Sequence, residues 1–218
     1  MPVRQGARTA AVFVLVHSGI ARYRTSDLDA LEEVTGLLGV TIERLRLYEQ
    51  AAHGARHDLL TGLPNYRYLQ ERLESNIAGP NGIGESTLLV VDMDSLKVFN
   101  DSLGHETGDR LIRIVARELR AACRDRDFVA RTGGDEFVML LEGVGIEAAG
   151  RVAERVYAAL SDAHLEIEGS PTRVAVSIGV AYAPLHGSVP VDVLHVADQG
   201  MYEAKFAGGG VRALAPPK

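Results

Sequence analysis

The stretch Thr87–Asp92 (TLLVVD) constrains the fold of this chain more than any other. It shows no alternation of apolar and polar side chains, so the strand it forms is expected to be covered on both faces, in the middle of a sheet. It ends on a carboxylate, Asp92, and a second one, Asp94, follows two residues later. Helical patterns come next, over about Ser95–Leu103 and Glu106–Ala122. Phe128–Arg131 and Glu136–Leu141 read as the arms of a β-hairpin around the turn Thr132–Asp135. A helix over Ile146–Ser161, a long strand over Arg173–Tyr182 and a last helix over Val191–Ala207 complete the pattern.

The order β-α-α-β-β-α-β-α predicts an α+β, ferredoxin-like core, a mostly antiparallel sheet covered by helices. Upstream, Gly62, Pro64 and Asn65 make His57–Asn65 a connector, Asn65 caps a helix over Tyr66–Ile77, and Gly79–Gly84 is a loop. Ala10–Val16 reads as a buried strand, and Thr25-Ser26-Asp27 as the cap of a helix. Along that helix Leu31, Val34, Leu38, Thr41, Leu45 and Tyr48 recur in steps of three and four, leading to a polar exit through Ala51–Arg56. Such a period suits two helices packed side by side, so a homodimer is expected through this helix. The division is then residues 1–50, a strand and signalling helix, and residues 51–218, the core domain.

Composition narrows the function classes. With 218 residues, 46% hydrophobic and 24% charged, the chain has room for one ordinary globular domain plus a smaller segment. A single cysteine, Cys123, rules out an intrachain disulfide and a Cys-based zinc site, which favours a reducing, cytoplasmic setting. The net charge of −6 argues against nucleic acid as the main partner. No apolar run is long enough to span a bilayer. Thr9–Val16 imitates a signal peptide but ends at His17 without a small-x-small cleavage site.

Chemistry concentrates in two places. Arg131-Thr132-Gly133-Gly134-Asp135-Glu136-Phe137 puts adjacent carboxylates at a hairpin tip, where a structural turn needs only a glycine. Paired acids repel unless a cation lies between them. If this tip neighbours the Asp92 strand, three carboxylates converge, and oxygen ligands without His or Cys imply Mg²⁺ or Mn²⁺. The second place follows Asp94. The N–H groups of Ser95 and Leu96, at a helix start, can cradle a phosphate. Lys97 lies in that first turn, where the helix dipole disfavours a cation and a phosphate would explain it. Asn100 and Asp109 could read a base edge or simply serve as turn and cap residues. Lysine is scarce, three residues against twenty arginines, and two of the three, Lys97 and Lys205, fall in these dense stretches.

These motifs resemble those of the GGDEF family, the diguanylate cyclases: Arg131–Phe137, Asp92-Met-Asp-Ser-Leu-Lys97 with Asn100-Asp101, Gly104-His-Glu-Thr-Gly-Asp109, Asp58-x-Leu-Thr-Gly-Leu-Pro-Asn65, Ser177–Ala181, and Ala197-Asp-x-x-Met-Tyr-x-Ala-Lys205. The match runs from about His57 to Ala207. The resemblance implies condensation of two GTP into cyclic di-GMP with release of two pyrophosphates. It further implies that Asp92, Asp135 and the Met93 carbonyl ligate the metal, with Glu136 a further ligand or part of the base machinery. Lys97 and Lys205 would hold the triphosphate, and Asn100 with Asp109 would read guanine. Arg124-Asp-Arg-Asp127 matches the family's Arg-x-x-Asp inhibitory motif, and Arg155 resembles a position that adds a second arginine, so product inhibition by cyclic di-GMP is expected. An arginine can clamp a phosphate or a guanine edge in bidentate fashion. The bland alternative is an Arg124–Asp127 side-chain pair in solvent.

Two departures stand out. Gly208-Gly209-Gly210 replaces the family's Gly-Arg-Asn, losing one cationic contact, and Tyr66 replaces the first arginine after Asn65. The alternative function is a non-catalytic GTP or cyclic di-GMP receptor on the same fold, which generally loses the turn's acids; Asp135 and Glu136 are both present. The first fifty residues resemble the last strand and exit helix of a GAF sensory domain. A whole one would need roughly 100 residues more, which implies a truncated piece or a vestigial sensor.

Overall fold

A computed structural model describes residues 2–5, 8–12, 25–77, 85–94, 96–162, 164–167 and 170–214. They fall into two compact units, Met1–Ala55 and Arg56–Lys218. In the first, β1 (Pro2–Gln5) pairs antiparallel with β2 (Arg8–Val12), and α1 spans Thr25–Arg56. β2 takes in the first part of the strand expected at Ala10–Val16; residues 13–16 lie outside the described ones. Its end is not buried, since Val12 is 65% exposed. The helix does not fade at Ala51 but continues to Arg56, as Ala51 and Ala52 are strong helix formers and no proline interrupts them. Thr35 and Gly39 are buried, whereas Val34, Leu38, Thr41 and Leu45 of the predicted stripe lie exposed, along with Leu37 and Val40.

The second unit is a three-layer α+β domain. Its helices are α2 (Tyr66–Ile77), α3 (Leu96–Leu103), α4 (His105–Ala122), α5 (Ile146–Asp162) and α6 (Pro190–Phe206). Its main strands are β3 (Ser86–Met93), β4 (Phe128–Gly133), β5 (Glu136–Glu142), β8 (Val176–Ala183) and β9 (Gly210–Ala213), in spatial order β4-β5-β3-β8-β9. β3 is central and buried throughout, as its unalternating sequence requires. Its odd-numbered residues Leu89, Val91 and Met93 pack with Leu111, Val115, Leu119, Val152 and Val156 of α4 and α5. Its even-numbered Leu88 and Val90 pack with Leu69, Leu73, Val193, Ala197 and Met201 of α2 and α6. The period-two alternation of a strand thus sorts one apolar run into two cores.

Three strands of this unit escaped the sequence reading, as did β1 in the first. The expected long strand over Arg173–Tyr182 is two elements. Ser170–Arg173 (β7) pairs with His164–Ile167 (β6) in a separate hairpin, and β8 begins only at Val176. β9 joins the sheet edge parallel to β8, making an otherwise antiparallel sheet mixed. It is reached through Gly208, Gly209 and Gly210 at φ +90°, +101° and +113°, a region other residues rarely enter.

The tightest packing joins β8 and α6. A Cβ on Gly179 would lie 1.8 Å from the Ala197 carbonyl oxygen and 2.2 Å from the Met201 nitrogen. One on Gly200 would meet the Arg212 carbonyl oxygen at 2.9 Å and Gly179 Cα at 3.3 Å. Helix and strand therefore touch backbone to backbone.

Candidate active site

Strand register gathers the acidic residues. Asp92 lies opposite Glu136 of β5 on one side and Ser177 of β8 on the other. All three are on the α6 face of the sheet by the alternation described above. The Met93 N–H donates to the Asp135 carbonyl at 3.1 Å, tying the hairpin tip to the end of β3. Asp94 turns back toward β8: its N–H donates to the Ala175 carbonyl at 2.9 Å, and its carboxylate accepts from Ser177 Oγ at 3.0 and 3.1 Å.

The cluster carries excess negative charge. Burial pushes the Asp92 carboxyl up, as do Asp135 and Asp94, against the pull of Lys205. Burial also raises Glu136, and Asp92, Asp135 and Asp198 add to it. Lys205, in the last turn of α6, answers this field: its Nζ donates to Asp92 Oδ1 at 2.5 Å. Burial disfavours the ammonium, but the bond to Asp92 and the nearby carboxylates outweigh it and hold its pKa above the usual lysine value.

Asp92, Asp135 and Glu136 are neighbours, yet no three metal-ligating side chains among the described residues are gathered closely enough to hold a metal. Lys205, the residue expected on a triphosphate, pairs with Asp92, because a carboxylate only 5% exposed takes the nearest cation. The donor set still fits a hard divalent cation, being all oxygen, with Asp135 adding to the need for countercharge at both Asp92 and Glu136.

The second cluster sits at the α3–α4 elbow. Leu96 opens α3 and Lys97 is exposed in its first turn; Ser95 lies outside the described residues. Asn100 is half-buried, and its Oδ1 is sealed from solvent with no hydrogen-bond partner. A Cβ on Gly108 would come within 1.9 Å of that oxygen, so the glycine's bare backbone makes room for the carboxamide, next to half-buried Asp109.

A strut unforeseen in the sequence braces the hairpin tip. Asp58 accepts hydrogen bonds from the Thr61 N–H at 2.9 Å, Thr61 Oγ1 at 2.6 Å and Arg131 Nη1 at 3.0 Å. Burial would raise its carboxyl, but these bonds hold it below the usual carboxylate range. The same guanidinium donates from Nε and Nη2 to the Gly134 carbonyl at 3.2 and 2.7 Å. The segment just after α1 is thus wired to the residue preceding Asp135.

Away from this site, Asp127 and Arg124 bond through backbone, not as an ion pair. Asp127 Oδ2 accepts from the Arg124 N–H at 2.9 Å, and the Asp127 N–H donates to the Arg124 carbonyl at 3.1 Å. That fixes a turn and leaves the guanidinium free of any ion pair among the described residues. Arg124 and Arg155 line one cavity of about 240 Å³, together with Arg151, which the sequence reading missed. Its spacing of one helical turn before Arg155 was the available signal.

Fold and site together define an α+β domain whose acidic strand end and adjoining lysine suit a cation beside an anionic ligand. The chain belongs to the GGDEF family: the family model described as "Diguanylate cyclase, GGDEF domain" matches residues 55–210. It is similar to the diguanylate cyclase DgcP of Pseudomonas aeruginosa, 38% identical over 190 residues, 81% of this chain and 28% of DgcP. It is also similar to the diguanylate cyclase TpbB of the same organism, 39% identical over 166 residues, 75% of this chain and 38% of TpbB. The chain therefore spans well under half the length of these relatives. Among solved structures, the coiled coil and GGDEF domain of DgcB from Caulobacter crescentus, in complex with cyclic di-GMP, superposes with a TM-score of 0.73 at 29% identity, covering 85% of this chain and all of that one. The GGDEF domain of TpbB gives 0.66 at 36% identity, covering 72% and 93%. No helix among the described residues is long and apolar enough to cross a membrane.

Proposed function

We propose that this chain is a diguanylate cyclase acting in the cytoplasm, joining two GTP into cyclic di-GMP with loss of two pyrophosphates. The observation that carries it is Asp92 facing Glu136 across two paired strands, with Asp135 at the adjoining tip and Lys205 alongside. Asp92, the Met93 carbonyl, Asp135 and Glu136 would hold Mg²⁺ or Mn²⁺. Such an ion lowers the pKa of a coordinated hydroxyl and shields phosphate charge. The protein's own share is binding and orientation. Asn100, once its carboxamide turns toward the ligand, and Asp109 would read guanine's edge, Asp109 accepting from its N–H groups. The backbone at Ser95 and Leu96, with Lys97, cradles phosphate, and Lys205 can turn to the triphosphate. Each 3′-hydroxyl attacks the other nucleotide's α-phosphate, forming one P–O bond as the bond to pyrophosphate breaks. One domain offers one triphosphate site, so two must face each other, and the exposed apolar residues of α1 support a homodimer. Incubated with GTP and Mg²⁺, the protein is expected to yield a product with the mass of cyclic di-GMP; recovery of GTP alone would overturn the assignment.

Product inhibition belongs to the same reading. The cavity shared by Arg124, Arg151 and Arg155 is suited to the two phosphates of cyclic di-GMP, since arginine grips phosphate bidentately. Asp127 holds the turn that presents Arg124 and can accept from a guanine edge. Cyclic di-GMP is expected to slow the wild type in a way that added GTP does not relieve, and to leave an Arg124→Ala, Asp127→Ala variant uninhibited. Equal inhibition of both proteins rules the site out.

A further inference from the structure

The pairing of Lys205 with Asp92 raises a question that the roles above leave open. Asp92 is almost fully buried, stands opposite Glu136 and feels Asp135 and Asp94. Lys205 reaches it from the last turn of α6, with 43% of its side chain exposed and Nζ at 2.5 Å from Oδ1. A divalent cation and this ammonium would draw on the same carboxylate charge, and two cations side by side at Asp92 repel each other, so each weakens the other's hold. Lysine's charge rides on a flexible four-carbon stem, so it can leave by rotamer change without moving the helix. A triphosphate brings several negative charges to the same mouth and competes with Asp92 for the ammonium.

We propose that Lys205 is an interlock: its ammonium holds the cation position at Asp92 until a nucleoside triphosphate draws it off, so metal and nucleotide enter together. The ion pair stands on the geometry alone; the triphosphate as releasing ligand rests on the cyclase reading. By linkage, if nucleotide removes the competing ammonium and so tightens metal binding, metal tightens nucleotide binding equally. The arrangement also keeps the Asp92 carboxylate compensated at every stage, which avoids leaving a buried charge alone.

The test reads metal binding, not turnover. Mn²⁺ is titrated into the protein without nucleotide, the free ion being followed by electron paramagnetic resonance, for wild type, Lys205→Met and Lys205→Arg. Lys205→Met is expected to bind Mn²⁺ about five- to tenfold tighter than wild type, the range for removing a partly exposed competing charge. Lys205→Arg keeps a cation and should stay with the wild type. A GTP analogue with a methylene between its α and β phosphorus atoms should tighten Mn²⁺ binding in the wild type far more than in Lys205→Met. Lys205→Gln, with a polar end, carries the comparison if the methionine variant does not fold. Equal Mn²⁺ affinity in wild type and Lys205→Met, or tightening in Lys205→Arg to match, overturns the interlock. Failure of the wild type to make cyclic di-GMP would overturn the cyclase reading and leave the nucleotide-free titration to be judged by itself.

Discussion

Asp135→Ala is expected to make no detectable cyclic di-GMP, a loss of at least about a thousandfold, while folding as well as the wild type. The two halves of this expectation have one cause. Asp135 is a half-buried side chain at a hairpin tip, where its charge is opposed by Asp92 and Glu136. Removing it relieves repulsion, so stability without metal or nucleotide should be unchanged within about 0.5 kcal/mol, or should rise. Its backbone carbonyl, which accepts from Met93, is untouched by the substitution. Glu136→Ala should behave alike, being exposed on the strand that faces Asp92. Thermal melts and a product assay on the same samples check both halves. Full activity in Asp135→Ala would sink the mechanism.

Removing residues 1–50 is expected to make turnover depend steeply on protein concentration. The remaining unit keeps both cores, so the active site of each copy should survive. What is lost is most of α1, the part along which Val34, Leu38 and Leu45 lie exposed. A helix that pairs two copies raises the effective concentration of one domain around the other to the millimolar range. Without it, productive encounters scale with the square of concentration, so specific activity should fall about tenfold for each tenfold dilution. The full chain should hold its specific activity over the same range. If the shortened protein does too, α1 is not what brings the domains together.

Much of this was legible in the residues. β3 announced itself by lacking alternation, and α4 and α5 by spacing that places Leu111, Val115 and Leu119, or Val152 and Val156, on one face. The carboxylates and glycines at 131–137 were legible because their combination serves no purely structural turn. What escaped depended on distant partners. β9 is four residues after a run of glycines, and only the edge of β8 makes it a strand. The break between β7 and β8 reflects separate pairing partners, which no local propensity encodes. Asp58 and Arg131, 73 residues apart, each sat in a recognisable motif without any hint that they bond. The family resemblance gives Lys205 to the triphosphate and says nothing of a carboxylate partner. That it reaches Asp92, 113 positions away, follows from where α6 ends over the sheet.

That endpoint traces back to two missing methyl groups. Because Gly179 and Gly200 let α6 rest its backbone on β8, the helix has no cushion of side chains in which to slide or roll. Lys205 leaves the helix little more than one turn beyond Gly200, so its aim is that of an instrument bolted to its bench rather than hung on a bracket. The stem can still swing, but always from one fixed pivot. Accuracy in placing a single charge is thus bought by side chains that are absent, well away from the chemistry itself.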